Sequence, residues 1–147
     1  MHEYSECMAF LNFMCNELVP EIDSNYCTSA NPNQRAILGT SLGGWTAAWF
    51  GLKRPDIFRL IGIQSPAFSD EILNSFSSAS TLPLKIFMST GTIHDTEVKA
   101  RKMYKILAEK KYPVKYIEVN EGHSWGNWRA LIDDLLVYFF KAPVQTN

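Results

Sequence analysis

The feature that most limits the fold of this chain is a regular alternation of short apolar runs with segments of helical periodicity. Four runs, at 35–38, 58–63, 84–88 and 114–119, are predicted as strands. Helices are predicted over 4–18, 45–52, 69–76, 96–110 and 124–140, the first ending near Pro20. Since neighbouring parallel strands need a crossover helix, the alternation predicts an α/β fold, with a mostly parallel sheet and helices on both faces.

Two of the predicted helices carry apolar stripes that indicate buried faces. The stripes are Val98, Met103, Ile106 and Leu107 in the helix over 96–110, and Trp128, Leu131, Ile132, Leu135 and Phe139 in the last helix. A polar loop is expected between the first helix and the first strand, over 25–33. A chain of this length fits one domain, and no repeat or low-complexity segment is apparent, so we expect a single domain over residues 1–147.

Composition and charge exclude several classes of partner. The chain has 147 residues, of which 46% are hydrophobic and 20% charged, and its net charge is −1. A balance so close to neutral gives no field that would collect phosphate groups, so nucleic acid is not an expected partner. No apolar run is long enough to cross a bilayer, and no basic and apolar leader opens the sequence. We therefore expect a cytoplasmic protein that does not bind membranes.

The cysteines give no sign of a metal or redox site. Their number is odd, and the spacing of Cys7, Cys15 and Cys27 matches no zinc or thiol-exchange motif. We expect reduced thiols, no metal and no organic cofactor. The basic stretch at 110–115 is interpreted as a helix end, where cations complement the helix dipole, rather than as a binding patch.

A serine set among glycines follows the first predicted strand, in the segment GTSLGG at 39–44. A strand-to-helix turn that exposes a hydroxyl group needs small neighbours, and Gly39, Gly43 and Gly44 are interpreted as supplying that room for Ser41. The pattern also occurs by chance, and the alternative is a glycine-rich turn without chemistry. The choice depends on whether partners for a nucleophile follow.

Such partners occur in the order that doubly wound hydrolases use, which is serine, acid, histidine. His123 lies on the loop after the last predicted strand and is the candidate base, and Asp95 lies just beyond the third strand and is the candidate acid. Asp95 could instead cap the following helix, which leaves Glu97 as the reserve acid. His123 could be only a polar residue before the last helix. Beside it, Trp125 is either core packing or the wall of a substrate pocket.

Several segments together resemble the enterochelin-esterase-like branch of the putative esterase (esterase D) family, which are α/β-hydrolases. They are GTSLGG at 39–44, Gly51-Leu52 with Pro55 and Phe58, QSP at 64–66 and EGHSWGNWR at 121–129. The resemblance runs from NELVP at 16–20 to about residue 140. It implies a serine esterase that forms an acyl-enzyme with a small-molecule ester. It assigns the nucleophile to Ser41 and the base to His123, and supports Asp95 less directly because the acid varies in placement among branches.

The resemblance does not select a substrate among siderophore triesters, feruloyl esters, S-formylglutathione and mycolyl groups. In this fold two backbone N–H groups hold the oxyanion, and the resemblance assigns the first to Leu42. The second is expected upstream of the first helix, so the chain looks like the carboxyl-terminal portion of a hydrolase, with a partial α/β-hydrolase fold. The strand at 35–38 would then have an open edge, which predicts a homo-oligomer. Two alternatives stay open: an impaired remnant that serves as a binding or assembly module, and an acyltransferase.

Overall fold

A computed structural model describes residues 8–141, which contain a sheet of four parallel strands in the order β1-β2-β3-β4. The strands are β1 Ala36–Thr40, β2 Leu60–Gln64, β3 Lys85–Gly91 and β4 Val114–Val119. Every neighbouring pair is parallel, and the order in space follows the order in the chain. The predicted α/β fold with a mostly parallel sheet is therefore confirmed.

Helices cover both faces of the sheet. They are α1 Met8–Phe13, a π-helix Met14–Leu18, α2 Val19–Asn25, a 3₁₀ turn Pro32–Gln34, α3 Leu42–Lys53, α4 Asp70–Ser78, α5 Glu97–Glu109, α6 Trp125–Ala130 and α7 Ile132–Phe140. On one face, α1, α3, α4 and α5 enclose the larger apolar core, which includes Phe50, Ile61 and Met88. On the other face, α7 packs Leu135 and Phe139 against β2 and β3.

Burial along the strands shows which of them lie inside the sheet. All five residues of β2 are buried, whereas those of β1 and β4 are mostly half-buried. A strand buried on both faces reads as a continuous apolar run, which is why the run at 58–63 was recognisable. β3 extends three residues beyond the predicted end, because Ser89, Thr90 and Gly91 continue the pairing with β4.

The prediction that the first helix ends near Pro20 is wrong. The chain stays helical to Asn25, and residues 4–7 of the predicted helix lie outside the described residues. Pro20 lies in the first turn of α2, directly after the π-helix. Pro20 has no N–H to donate, and it lies where the hydrogen-bond pattern changes from that of the π-helix to that of α2.

The predicted last helix is two helices, separated at Leu131, which has φ −106° and ψ 4°. This break turns α7 so that Leu135 and Phe139 are buried while Ile132 is exposed, contrary to the predicted stripe. Val98 was also expected in the core but is exposed. It lies two residues before Ala100, the first buried residue of α5, and two residues place it on the opposite side of the helix.

Candidate active site

Ser41 lies in a sharp turn between β1 and α3. Its backbone has φ 54° and ψ −120°, a left-handed conformation that costs energy for any residue except glycine. The turn is held by backbone hydrogen bonds: the N–H of Ser41 donates to the carbonyl of Gln64 at 2.9 Å, and its own carbonyl accepts from Ala67 at 2.9 Å. The Ser41 side chain does not cap α3. The turn thus presents a hydroxyl that has no role in holding it.

Among the neighbouring glycines, space excludes a side chain at Gly39 and is tight at Gly44. A Cβ atom on Gly39 would overlap the carbonyl of Gly43, and one on Gly44 would come within 3.3 Å of the carbonyl of Gln64. Gly43 differs, since no described atom lies within 4 Å of the position its Cβ would take. The expectation that Gly43 also supplies room is therefore wrong.

The structure brings Asp95 and His123 into direct contact. The Nδ1 atom of His123 lies 2.6 Å from Oδ1 of Asp95, whose side chain has no exposed area, whereas the imidazole is 35% exposed. Gly91 lets the two loops meet, because a Cβ atom there would overlap the carbonyl of Glu121. With a carboxylate as acceptor, Nδ1 carries the proton and Nε2 is left as the basic nitrogen.

The second carboxylate oxygen of Asp95 is surrounded by donors. Within 2.6 to 3.4 Å of Oδ2 lie Oγ of Ser65, the backbone N–H of Gly91, Oγ1 of Thr90 and Nδ2 of Asn127. Burial raises the pKa of Asp95, but hydrogen bonds from Ser65, His123 and Gly91 outweigh it and hold the pKa below its usual value. The carboxyl group is therefore ionised at neutral pH.

The other roles considered for these residues find less support. Thr96, not Asp95, is the N-cap residue of α5, and its side chain makes no capping bond. Glu97 lies in the first turn of α5, and its Oε2 atom is buried without a hydrogen-bond partner among the described residues. Of the two acids, Asp95 is the one that contacts His123.

Ser41 follows β1, and the Asp95 and His123 loops follow β3 and β4, all at the carboxyl edge of one sheet. The acid and the base are thus in contact, and the serine lies along the same edge of the sheet. No hydrogen bond joins the Ser41 hydroxyl to His123 in the described structure. Ligands of open α/β sheets bind at this edge. The arrangement can support nucleophilic acyl transfer if a substrate lies between Ser41 and His123.

The remaining predicted residues lie around this edge. Leu42 is the first residue of α3, so its N–H has no acceptor within the helix. Trp125 is 71% exposed and packs edge-on against Trp128, with ring centres 5.2 Å apart. Trp128 is buried and contacts the His123 ring edge-on at 5.0 Å. Trp128 is thus the packing residue of the pair, and Trp125 is open to solvent.

Sequence reasoning missed Ser65, which lies just after β2 and contacts Asp95. The segment Gln64-Ser65-Pro66 contributes to the prediction only through the family resemblance. A usable signal was present, since a polar residue directly after a buried central strand must lie at the same sheet edge as the nucleophile.

The part of the chain that the structure describes has no helix able to span a membrane. Nor does it hold any cluster of three or more histidine, cysteine, aspartate or glutamate residues suited to a metal ion. Cys15 is buried and Cys27 exposed, both as free thiols, whereas Cys7 lies outside the described residues.

Comparison with known proteins identifies the family of this chain. The model of the Putative esterase family matches residues 2–139. The uncharacterized protein YjcH of Bacillus subtilis is 30% identical over 91% of this chain and 61% of its own length. An endo-1,4-beta-xylanase/feruloyl esterase of Xylanibacter ruminicola is 38% identical over 90% of this chain and 18% of its own length.

Among solved structures, the enterochelin esterase of Shigella flexneri superposes with a TM-score of 0.85 at 21% identity, over 95% of this chain and 39% of its own. The four described strands and their helices thus form part of an α/β-hydrolase fold. This chain spans less than two thirds of the length of each of these proteins. Since the family model covers nearly all of it, the chain belongs to the Putative esterase family.

Proposed function

We propose that this chain carries the nucleophile, acid and base of a serine esterase, Ser41, Asp95 and His123, which hydrolyses a small-molecule carboxylic ester. The observation that carries the proposal is the 2.6 Å contact between His123 Nδ1 and the buried, ionised Asp95, at the sheet edge where Ser41 adopts its left-handed turn. A nucleophilic serine needs a base held in the right tautomer, and the contact with Asp95 would hold His123 in that tautomer.

The chemistry follows from these positions. His123 Nε2 takes the proton of Ser41 as the hydroxyl oxygen attacks the ester carbonyl, and the Leu42 N–H stabilises the resulting oxyanion. The tetrahedral intermediate collapses to an acyl-enzyme, and the imidazolium gives its proton to the departing alcohol. Water then attacks the acyl group with His123 again acting as base, which releases the carboxylic acid and restores Ser41. No cofactor takes part in these reaction steps.

The exposed ring of Trp125, beside His123, is proposed as one wall of the substrate pocket. Two of the similar proteins carry the names feruloyl esterase and enterochelin esterase, and a carboxylic ester as substrate of this chain is consistent with both.

A fluorophosphonate probe tests the proposal, because it reacts only with an activated serine. We expect the parent chain to be labelled, Ser41→Ala to lose the label, and Ser77→Ala to keep it, since Ser77 is an exposed serine of α4. A parent chain that does not react would overturn the proposal.

A second candidate is a folded binding or assembly module without turnover. Two observations on the described residues favour it: Leu42 is the one oxyanion donor identified among them, and β1 pairs with a strand on one side only. Under this alternative the probe leaves the parent chain unlabelled. Acyl transfer to an alcohol other than water, the third reading, would show as ester products when a competing alcohol is added.

A further inference from the structure

We infer that Ser65 is a positioning residue, whose hydroxyl holds one oxygen of the Asp95 carboxylate so that the other faces His123. This inference rests on the proposed function and extends it to a residue outside the serine, acid and base. Ser65 follows β2, has no exposed area, and lies between the strand that leads to Ser41 and the strand that leads to Asp95.

The direction of the hydrogen bonds around Ser65 is fixed by chemistry. The indole Nε1–H of Trp128 lies 2.8 Å from Oγ of Ser65, and an indole nitrogen can only donate. Oγ of Ser65 therefore accepts from Trp128 and has one hydrogen of its own to give. Its remaining neighbour at hydrogen-bond distance is Oδ2 of Asp95, at 2.6 Å. The indole thus orients the hydroxyl so that it donates to the carboxylate.

The two carboxylate oxygens of Asp95 therefore have different hydrogen-bond partners. Oδ2 accepts from Ser65 and from the backbone N–H of Gly91, both at 2.6 Å, while Oδ1 accepts from His123. Rotation of the carboxylate would break both short bonds to Oδ2. Among the described groups that act on Asp95, His123 is the one that can carry charge, and the donors at Oδ2 are neutral.

The backbone conformation of Ser65 indicates that serine occupies this position because of its hydroxyl group. Its φ is 42°, a left-handed value that glycine adopts at lower cost, and its N–H donates to the carbonyl of Ser89 at 2.7 Å. A serine therefore costs backbone energy here that a glycine would not. The two short hydrogen bonds of its side chain offset that cost.

The test is a carboxyl ¹³C NMR titration of Asp95 in the parent chain, Ser65→Ala and Ser65→Gly. Loss of a donor to the ionised form raises the midpoint, so we expect Asp95 to titrate at higher pH in both variants. Turnover is expected to fall by about ten- to a hundredfold in kcat, since that is the strength of one hydrogen bond to a charged group.

Ser89→Ala is the matched control. Ser89 is an equally buried serine in the neighbouring strand, and its Oγ has no hydrogen-bond partner among the described residues. Its loss should leave the Asp95 midpoint unchanged. Ser65→Gly relieves the left-handed strain, so it keeps the test open if Ser65→Ala fails to fold.

The outcomes separate this inference from the proposed function. An Asp95 midpoint that stays the same in folded Ser65→Ala or Ser65→Gly overturns the positioning role, whatever the activity. A midpoint that rises in a chain that the fluorophosphonate probe does not label would support the positioning role and contradict the esterase. The titration needs no turnover, so neither result depends on the other.

Discussion

Two serines, Ser41 and Ser65, occupy equivalent places at the ends of adjacent strands. Each has a positive φ, and each donates its N–H to a carbonyl at the carboxyl end of the next strand, Gln64 for the first and Ser89 for the second. Their side chains differ in what they reach: Ser41 presents a hydroxyl along the sheet edge, and Ser65 a buried one bonded to Asp95. A residue with positive φ thus follows both strands, the proposed nucleophile after β1 and the residue that supports Asp95 after β2.

The assignment of the acid can be decided by a pair of substitutions. Asp95→Asn should lower ester hydrolysis by about 10⁴-fold, because an amide no longer fixes the tautomer of His123. Glu97→Gln should leave the rate close to that of the parent chain, since Glu97 does not contact the histidine. Initial rates with p-nitrophenyl acetate measure both. The reverse pattern would assign the acid to Glu97.

Asp95 should also make folding stability depend on pH. Its folded pKa lies below its usual value, so its contribution is fully present above that usual value and is lost as the pH falls through the folded pKa. Urea unfolding between about pH 5 and pH 2 should show a decline that is shallower in Asp95→Asn. Equal slopes in the two chains would show that other carboxyl groups dominate acid unfolding.

At the scale of elements, the turn before α3 depends on close backbone contact, which gives a comparison between two glycines. Gly39→Ala places a Cβ against the carbonyl of Gly43 and should lower the free energy of unfolding by about 1 to 3 kcal/mol. Gly43→Ala meets open space within a helix and should raise it by up to about 1 kcal/mol. Urea melts of both variants measure the difference. Equal destabilisation would contradict the packing described for the turn.

The order and type of the elements were predictable from periodicity, but the places where helices break were not. A proline normally ends a helix, but Pro20 lies at the junction of the π-helix and α2, and the chain stays helical there. The break at Leu131 leaves the apolar spacing intact, so Ile132 was predicted as buried. In the site, the order of serine, acid and histidine along the chain predicted the contact between Asp95 and His123. The sequence could place Ser65 at the sheet edge, but its contacts with Asp95 and Trp128 depend on how β2, β3 and α6 meet, which spacing along the chain does not predict.

For the molecule as a whole, the feature that bears on assembly is the outer edge of β1, which pairs with no other strand among the described residues. A groove of about 460 Å³ lies beside this edge, lined in part by Leu18, Ile37 and Leu38. Leu38 is exposed, and unpaired backbone groups next to apolar side chains favour pairing with another strand. We propose that two or more copies of this chain associate through β1.

Sedimentation velocity at micromolar concentration tests the association. We expect the parent chain to sediment as a dimer or larger species and Leu38→Lys to shift towards monomer, because a charge on an edge strand opposes pairing. Val98→Lys, on the exposed side of α5, should leave the distribution unchanged. A parent chain that sediments strictly as a monomer would contradict the proposal.

The break between α6 and α7 assigns the two helices to different parts of the molecule. α6 is hydrogen-bonded to residues near the site: the Trp128 carbonyl accepts from Gln64 Nε2, and Asn127 Nδ2 donates to the Gly122 carbonyl. In contrast, α7 packs its apolar side chains against the sheet. Amide hydrogen exchange should therefore separate the helices into two cooperative units. An inhibitor attached to Ser41 should slow exchange in α6 and leave α7 as it was, so the histidine loop and its short helix would respond to the ligand as one body.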